Sequence, residues 1–215
     1  MLPTNPPLSA VLFDYGMVLS GPPDPAAWQR LKQVFRAEEP AFHAAYWRHR
    51  HDYDRGALNA ITYWQAVATD LHQPLSPSQL AELISADTAL WTRPNQPMID
   101  WAAALQRGGI KTGILSNIGD EMEAGILAHF PWLHNFAHHT FSHRLGIAKP
   151  DPAIYQHAAE GLAVPATEIL FIDDREENIA AAQSAGMHAI LYATHDAFIA
   201  TMTARGFAPL LSPTL

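Results

Sequence analysis

The chain has 215 residues, 48% of them hydrophobic and 16% charged, a composition typical of a folded protein with a buried core. Thirteen lysines and arginines against 21 acidic residues give a net charge of −8, which argues against broad binding to nucleic acids or anionic membranes. The absence of cysteine excludes disulfides, thiolate nucleophiles and cysteine-ligated zinc. MLPTNPPL at the start lacks the features of a signal peptide, and no apolar run approaches the roughly 18 residues of a membrane span, so we expect a cytoplasmic protein.

The first part of the chain predicts one strand followed by a block of helices. Residues 9–14, SAVLFD, form a short apolar run that ends on a carboxylate, as a buried strand does. Between residues 24 and 93 no strand pattern stands out, and helical patterns occupy 26–36, 40–51, 61–72 and 77–91. Four such helices fit a small bundle, and the proline-rich stretch at 93–97 indicates the return of the chain from it.

From residue 97 onward, strand and helix patterns alternate. Strands are predicted at 110–116, 138–142, 168–173 and 188–193, and helices at 97–107, from Asp120, from Pro152, at 175–186 and at 196–205. This alternation predicts an α/β fold, a Rossmann-like parallel sheet with helices on both faces and right-handed crossovers. In such folds ligands bind at the carboxyl ends of the strands.

Polar residues stand where the predicted strands stop: Asp14, the pair Ser116 and Asn117, and the pair Asp173 and Asp174. Lys149 comes just before a predicted helix. Each residue alone is typical of a turn, a helix cap or a solvated surface. Together they provide three carboxylates, a hydroxyl and an ammonium group. Carboxylates suit Mg²⁺, and a lysine beside a helix N-terminus suits a phosphoryl group.

Four motifs resemble, in this order, those of the haloacid dehalogenase-like (HAD) hydrolase superfamily: VLFDYGMV (11–18), GILSN (113–117), GIAKPDPAIY (146–155) and FIDDREEN (171–178). The resemblance covers nearly the whole chain. It implies a HAD-like catalytic core at 1–20 and 95–215, with a helical cap domain inserted at 21–94. The FDxGxV form of the first motif is similar to that of sugar-1-phosphate phosphatases in the branch with a small helical cap.

The resemblance implies a Mg²⁺-dependent hydrolase of small phosphorylated metabolites. Asp14 would attack phosphorus and form an aspartyl-phosphate that water then hydrolyses. Mg²⁺ would be held by Asp14, the backbone carbonyl of Gly16 and Asp174, with Asp173 assisting directly or through water. The groups implied to bind the phosphoryl oxygens are Ser116, the backbone N–H of Asn117 and Lys149. Asn178, one helical turn after the acidic pair, would orient it.

Gly16 departs from the pattern of the family's phosphatases, which usually carry a second aspartate at this position. That aspartate protonates the leaving group and later activates water, and such catalysis is worth about 10²–10⁴-fold. The substrate could have a good leaving group, such as the anomeric oxygen of a sugar 1-phosphate. The glycine could also serve the turn, through a positive φ or a close approach to the metal.

Two other functions remain open from the sequence. A hydrolytic 2-haloacid dehalogenase needs no leaving-group acid, but such enzymes place an aromatic residue followed by Gly-Thr two positions after the nucleophile and lack the acidic pair. Here the aromatic residue, Tyr15, is one position after Asp14, and Asp173 and Asp174 are both present. The second alternative is a weakly active or inactive protein that binds a phosphorylated ligand.

The 12 histidines do not predict a zinc site. His138 and His139 are adjacent on a predicted strand and face opposite sides. His49 and His51 diverge on a predicted helix. His143, on the loop leading to Lys149, is the candidate for a substitute acid, since its ordinary pKa of about 6.5 suits that task.

An aromatic and basic cluster marks the predicted cap: Tyr46, Trp47, Arg48, Arg50, Tyr53 and Arg55. As part of an amphipathic bundle helix, it would place Trp47 in the core of the cap and its arginines on the solvent face. Alternatively, some of these side chains close over the substrate, where aromatic faces and guanidinium groups suit a sugar ring and its phosphate.

Overall fold

A computed structural model describes residues 8–212; residues 1–7 and 213–215, which the sequence assigns to the core, lie outside the described residues. Five parallel strands form one sheet in the order β3-β2-β1-β4-β5. They are β1 Ala10–Phe13, β2 Lys111–Ser116, β3 His138–Phe141, β4 Ile169–Asp173 and β5 His188–Leu191. Each lies within two residues of its predicted bounds, and the predicted α/β class is confirmed.

The first five α-helices after β1 pack around a hydrophobic core of their own, whose buried side chains run from Ala27 to Leu90. They are α1 Pro25–Phe35, α2 Glu39–Arg48, α3 Arg50–Asp54, α4 Ala60–Asp70 and α5 Pro77–Leu90. Reciprocal capping boxes start α4 at Asn59 and α5 at Ser76. The predicted helix at 40–51 is in fact two, because the chain turns at His49.

The two chain passages that join this bundle to the sheet lie side by side. Gly21 N donates to Arg93 O at 2.6 Å, and Ser20 pairs with Pro94 in an antiparallel bridge. The bundle therefore follows the first strand as one continuous segment, and backbone hydrogen bonds join its entering and leaving strands of chain.

Helices cover both faces of the sheet, as the sequence predicts. They are α6 Gln96–Arg107, α7 Asp120–His129, α8 Ser142–Leu145, α9 Pro152–Leu162, α10 Glu176–Ser184 and α11 His195–Ala204. Val11 and Phe13 of β1 pack with residues of α6, α7 and α11, whereas Ala10 and Leu12 pack with residues of α9 and α10. Successive strand residues point to opposite faces, so this alternation places β1 at the centre of both layers. Among residues 8–212, none of the helices has the length and apolar character needed to cross a bilayer.

Candidate active site

The carboxyl ends of the strands, the loop before α9 and the α3 side of the bundle enclose a cavity of about 440 Å³. The sheet-edge residues singled out from the sequence line it, with the exception of Asp173: Asp14, Gly16, Ser116, Asn117, Lys149 and Asp174. Asn178 lines it as well, while Asp173 is fully buried behind it. Parallel strands bring residues more than 150 positions apart to one edge because all five strands end on the same side.

Lys149 is the cation at the centre of the site. Its Nζ lies 2.9 Å from Asp14 Oδ1 and 2.6 Å from Asp173 Oδ2, and the side chain is almost fully buried. Burial opposes the charge on the lysine, but the two carboxylates outweigh it and raise the pKa of Lys149 above its ordinary value. Lys149 is therefore held as an ammonium group against the residue implied to be the nucleophile.

Asp14, Asp173 and Asp174 each offer a carboxylate oxygen, and these three atoms lie within 4.8 Å of one another. Burial, together with Asp173 and Asp174, raises the pKa of Asp14 despite the nearby Lys149. Burial and Asp173 likewise raise the pKa of Asp174. A divalent cation would relieve this crowding of like charges, and oxygen donors are those that Mg²⁺ prefers. The residues present therefore fit a hard metal ion.

Asp173 differs from Asp14 and Asp174 because its negative charge is already paired with Lys149 and its carboxylate is held by hydrogen bonds. Its Oδ1 accepts hydrogen bonds at 2.9 Å from Asn178 Nδ2 and from the backbone N–H of Arg175. Burial acts to raise its pKa, but Lys149 and these hydrogen bonds lower it below the ordinary value. Asn178 thus contacts the first acid of the pair, whereas Asp174 faces the cavity.

Gly16 lies in a π-helical turn, Tyr15–Leu19, that begins directly after Asp14. Its φ of −62° and ψ of 135° are open to any residue, and the positive φ of this turn belongs to Met17 at 59°. A Cβ at Gly16 would meet the Trp91 ring at 3.6 Å, an ordinary contact. A positive φ is therefore not the reason for glycine at this position.

The helical bundle contributes Trp47, Arg50, His51 and Asp54 to the cavity. Trp47 is 46% exposed, so the expectation that it packs inside the cap is wrong. Tyr46 takes the buried position instead, where its hydroxyl donates to Asp87 Oδ1 at 2.7 Å. Of the cap side chains proposed to face the substrate, the structure thus brings Trp47 and Arg50 to the cavity.

Arg50 is buried, contrary to the expectation that the cap arginines face solvent. Its Nε lies 2.9 Å from Asp54 Oδ1 and its Nη1 3.0 Å from Asp87 Oδ2. The rings of Tyr46 and Tyr53 lie 5.3 Å from its guanidinium carbon. These carboxylates and aromatic faces offset the cost of desolvating the guanidinium. The helical periodicity of the sequence does not reveal such partners. Arg48 and Arg55 have the exposed side chains that the sequence predicts.

The histidines supply no metal cluster within residues 8–212. The ring of His138 lies beside that of His157, with ring centroids 5.5 Å apart and planes tilted by 42°. His139 Nε2 lies 2.9 Å from Leu133 O, so the two neighbours contact different parts of the fold. His143 is not among the residues lining the cavity; its Nε2 lies 2.5 Å from Glu123 Oε2. The structure therefore does not bring the candidate substitute acid to the site.

A parallel sheet with a lysine and three carboxylates at its carboxyl edge, capped by an inserted helical bundle, defines a Rossmann-like hydrolase. The chain belongs to the haloacid dehalogenase-like hydrolase family, whose model matches residues 12–186. An enzyme of this family from Bacteroides thetaiotaomicron, solved with magnesium and inorganic phosphate, has a similar fold with a TM-score of 0.70 and 19% identity. That match covers 87% of this chain and 96% of the other.

Curated relatives match parts of the chain. Phosphatase MT3486 of Mycobacterium tuberculosis is 39% identical over 87 residues, which cover 40% of each protein. Bifunctional epoxide hydrolase 2 of Sus scrofa is 29% identical over 206 residues, 86% of this chain and 36% of the relative. The chain thus spans well under half the length of these two relatives in the matched regions.

Proposed function

We propose that the protein is a Mg²⁺-dependent phosphomonoester hydrolase that acts through an aspartyl-phosphate intermediate on a small phosphorylated metabolite. The observation that carries the proposal is the position of Lys149, buried 2.9 Å from Asp14 in the cavity that the acidic pair also borders. An anionic nucleophile and an anionic substrate approach each other only where cations offset both charges, and this site is built to hold cations.

Mg²⁺ would be held by Asp14, the backbone carbonyl of Gly16 and Asp174, with Asp173 assisting. When bound, it neutralises charge on the phosphoryl oxygens. The similar enzyme from Bacteroides thetaiotaomicron, solved with magnesium and inorganic phosphate, supports a magnesium-dependent reaction on a phosphate ester. The compact carboxylate cluster and the raised pKa of Asp174 support it from this chain's own residues.

The protein's own groups divide the remaining tasks. Asp14 attacks phosphorus, the bond from phosphorus to the ester oxygen breaks, and water later attacks the aspartyl-phosphate to release phosphate. Ser116, the backbone N–H of Asn117 and Lys149 bind the phosphoryl oxygens. Lys149 reaches both the nucleophile and the substrate, so it orients Asp14 while offsetting charge on the phosphoryl group.

We further propose that residues 21–94 act as a cap that binds the organic part of the substrate, above a core formed by 1–20 and 95–215. Trp47 offers an exposed ring, and Arg50, His51 and Asp54 offer polar groups at the same wall of the cavity. This mixture suits a ring with hydroxyl groups. Sugar 1-phosphates are the first candidates, because the first motif resembles that of sugar-1-phosphate phosphatases.

A panel of phosphomonoesters, assayed with and without Mg²⁺ beside 2-chloroacids, tests the function. We expect Mg²⁺-dependent phosphate release that Asp14→Asn reduces by at least about 10³-fold, because the amide is not a nucleophile. Asp100→Asn, the same change at an exposed residue that does not line the cavity, should retain activity. Metal-independent release of chloride would show a dehalogenase instead. If no ester is hydrolysed at a detectable rate, the result would favour a binding protein.

A further inference from the structure

Four carboxylic acids line the cavity: Asp14, Asp54, Asp174 and Glu177. Asp14 and Asp174 are taken up by the proposed nucleophile and metal site. Glu177 has a side chain that is 48% exposed and pairs with Arg175. Asp54, the last residue of α3, is the remaining acid, and its side chain is only 17% exposed. It comes from α3 of the helical bundle, whereas Asp14 and Asp174 come from the carboxyl edge of the sheet.

Asp54 and Asp87 share one buried cation, Arg50, and Asp54 receives fewer hydrogen bonds than Asp87. Arg50 is the guanidinium that faces both Asp54 and Asp87. Asp87 accepts two hydrogen bonds from Arg50 Nη1, at 3.0 and 3.1 Å, and one from the Tyr46 hydroxyl. Asp54 accepts a single side-chain hydrogen bond, at Oδ1 from Arg50 Nε, and its Oδ2 accepts none from residues 8–212. Two acids that share one buried cation favour retention of a proton on the less satisfied acid.

The pKa of Asp54 agrees with this geometry. The pKa of Asp54 is raised to about 6, because burial and, to a smaller extent, Asp87 raise it by more than Arg50 and Lys149 lower it. An acid of this kind exchanges its proton near neutral pH, which is what a group that alternates between acid and base requires.

The core fixes the position of Asp54. The backbone carbonyl of Asp54 accepts a hydrogen bond from Ser142 Oγ, and the same Oγ accepts one from Ile118 N at 2.9 Å. Ile118 lies two residues after Ser116, so α3 is tied to the loop that lines the phosphoryl end of the cavity. At Gly56 a Cβ would come within 2.4 Å of His143 O, which shows how closely this end of the cap meets the core.

We infer that Asp54 is the general acid and base of the reaction, supplied by the cap in place of the side chain that Gly16 lacks. Asp54 donates its proton to the ester oxygen as the bond from phosphorus breaks, which releases the alcohol. Its carboxylate then takes a proton from the water that attacks the aspartyl-phosphate, which regenerates the acid and frees Asp14. Leaving group and water occupy the same side of phosphorus, so one residue serves both steps. This role rests on the proposed phosphatase function.

Leaving-group dependence tests the role. Asp54→Asn preserves the shape and the acceptor for Arg50 Nε but has no acid proton. We expect its kcat on a primary alkyl phosphate to fall by about 10²–10⁴-fold, and on an activated aryl phosphate by about tenfold or less, because the aryl oxygen departs without a proton. The kcat of the wild type on the alkyl ester should decline as the pH rises above about 6, and this decline should be missing in the variant. If Asp54 had a purely structural role, its substitution would lower kcat for the alkyl and the aryl phosphate by the same factor.

Two control variants share the same helix. Asp52→Asn makes the identical change at an exposed side chain that pairs with Arg55 and does not line the cavity, and it should leave both rates unchanged. His51→Gln removes the other titratable cap group that borders the cavity. A loss selective for alkyl esters in His51→Gln, and not in Asp54→Asn, would overturn the assignment.

The wild type provides a measure that does not depend on how any variant folds. Across a series of aryl and alkyl phosphates, kcat should depend weakly on the pKa of the leaving alcohol, and a steep dependence would show that no acid acts. Mg²⁺-dependent hydrolysis of the aryl ester by the wild type tests the phosphatase function separately. If that activity is present while Asp54→Asn lowers kcat for the alkyl and aryl esters by the same factor, Asp54 is not the general acid. The proposed phosphatase function is then retained.

Discussion

The side-chain amide of Asn117 holds the backbone of Lys149 at both of its polar groups. Asn117 Oδ1 accepts from Lys149 N at 2.8 Å, and Asn117 Nδ2 donates to Lys149 O at 2.9 Å. The loop after β2 thereby fixes the loop before α9, although 32 residues separate the two. A lysine with four rotatable side-chain bonds reaches Asp14 reproducibly only if its backbone is held in this way.

Asn117→Ala should therefore loosen Lys149 without removing it. We expect kcat for any phosphate ester that is turned over to fall about 10- to 100-fold, with weaker inhibition by inorganic phosphate, because a small displacement of a catalytic group costs this much. Steady-state kinetics measure both effects. Asn135→Ala, at an exposed asparagine outside the cavity, is the matched control. Unchanged kinetics in Asn117→Ala would show that Lys149 is held by its carboxylates alone.

The acidic pair should separate into a metal ligand and a structural anchor. Asp174→Ala should abolish Mg²⁺ binding and activity while the metal-free protein stays folded, because this carboxylate is crowded by Asp173. Asp173→Ala should lose less Mg²⁺ affinity but about 3 kcal/mol of stability, since it breaks the buried pair with Lys149. Calorimetric Mg²⁺ titration and urea unfolding measure the two quantities. Equal or reversed losses of Mg²⁺ affinity would contradict this division.

Trp47 should contribute to recognition of the organic group and not to chemistry at phosphorus. Trp47→Ala is expected to raise KM for substrates with a ring by about tenfold, with little change in KM for a short alkyl phosphate, because the indole offers a stacking face. Ile61→Ala removes a similarly exposed apolar side chain, 49% exposed, from a cap helix away from the cavity. An equal effect of the two substitutions would indicate a general change in the cap.

The fold and the sheet-edge residues were predictable because they depend on local patterns. Short apolar runs that end on polar residues define both the strands and the edge at which ligands bind, so Asp14, Ser116 and Asp173 follow from strand ends alone. Pro152, at which the sequence starts a helix, is indeed the first residue of α9 beside Lys149, and the structure adds a side-chain cap from Asp151.

Contacts between distant segments could not be predicted. Arg50 is buried because it pairs with Asp87 of α5, which is 37 residues away in the sequence. Helical periodicity carries no information about such a distant partner. Trp47 lies on α2, whose buried residues are Phe42, Ala45 and Tyr46, so it is on the opposite face of that helix and is exposed. His143 stands near Lys149 in sequence, but the short helix α8 directs it to Glu123. The side-chain role of Asn117 is of the same kind, since its partner is a backbone segment brought near by the sheet.

The proton affinity of Asp54 should be visible in stability as well as in kinetics. Its folded-state pKa of about 6 lies above its ordinary 3.8, so the folded protein binds the proton more tightly than the unfolded chain. The stabilisation from this group is complete below pH 3.8 and is lost as the pH rises through 6. Asparagine does not titrate. We therefore expect the free energy of unfolding of Asp54→Asn, relative to wild type, to increase between pH 4 and 6 by about 1 kcal/mol per pH unit.

Urea unfolding of both proteins at several pH values measures this difference. Asp52→Asn, with its exposed carboxylate, should show no comparable trend. A difference that decreases with pH would mean that the ion pair with Arg50 dominates and lowers the pKa of Asp54. Asp54 would then be a permanent carboxylate, unsuited to donate a proton.

Gly16→Asp tests whether the vacant acid position and Asp54 perform the same task. The backbone at Gly16 accepts any residue, and the nearest atom to a new Cβ is a Trp91 ring carbon at 3.6 Å, so the substitution should fold. In an Asp54→Asn background, Gly16→Asp should restore alkyl phosphate hydrolysis by at least about tenfold, because it returns a general acid beside the nucleophile. Gly16→Ala in the same background adds the Cβ without the carboxyl group and should restore nothing. Equal effects of alanine and aspartate would attribute any recovery to packing against Trp91 and not to proton transfer.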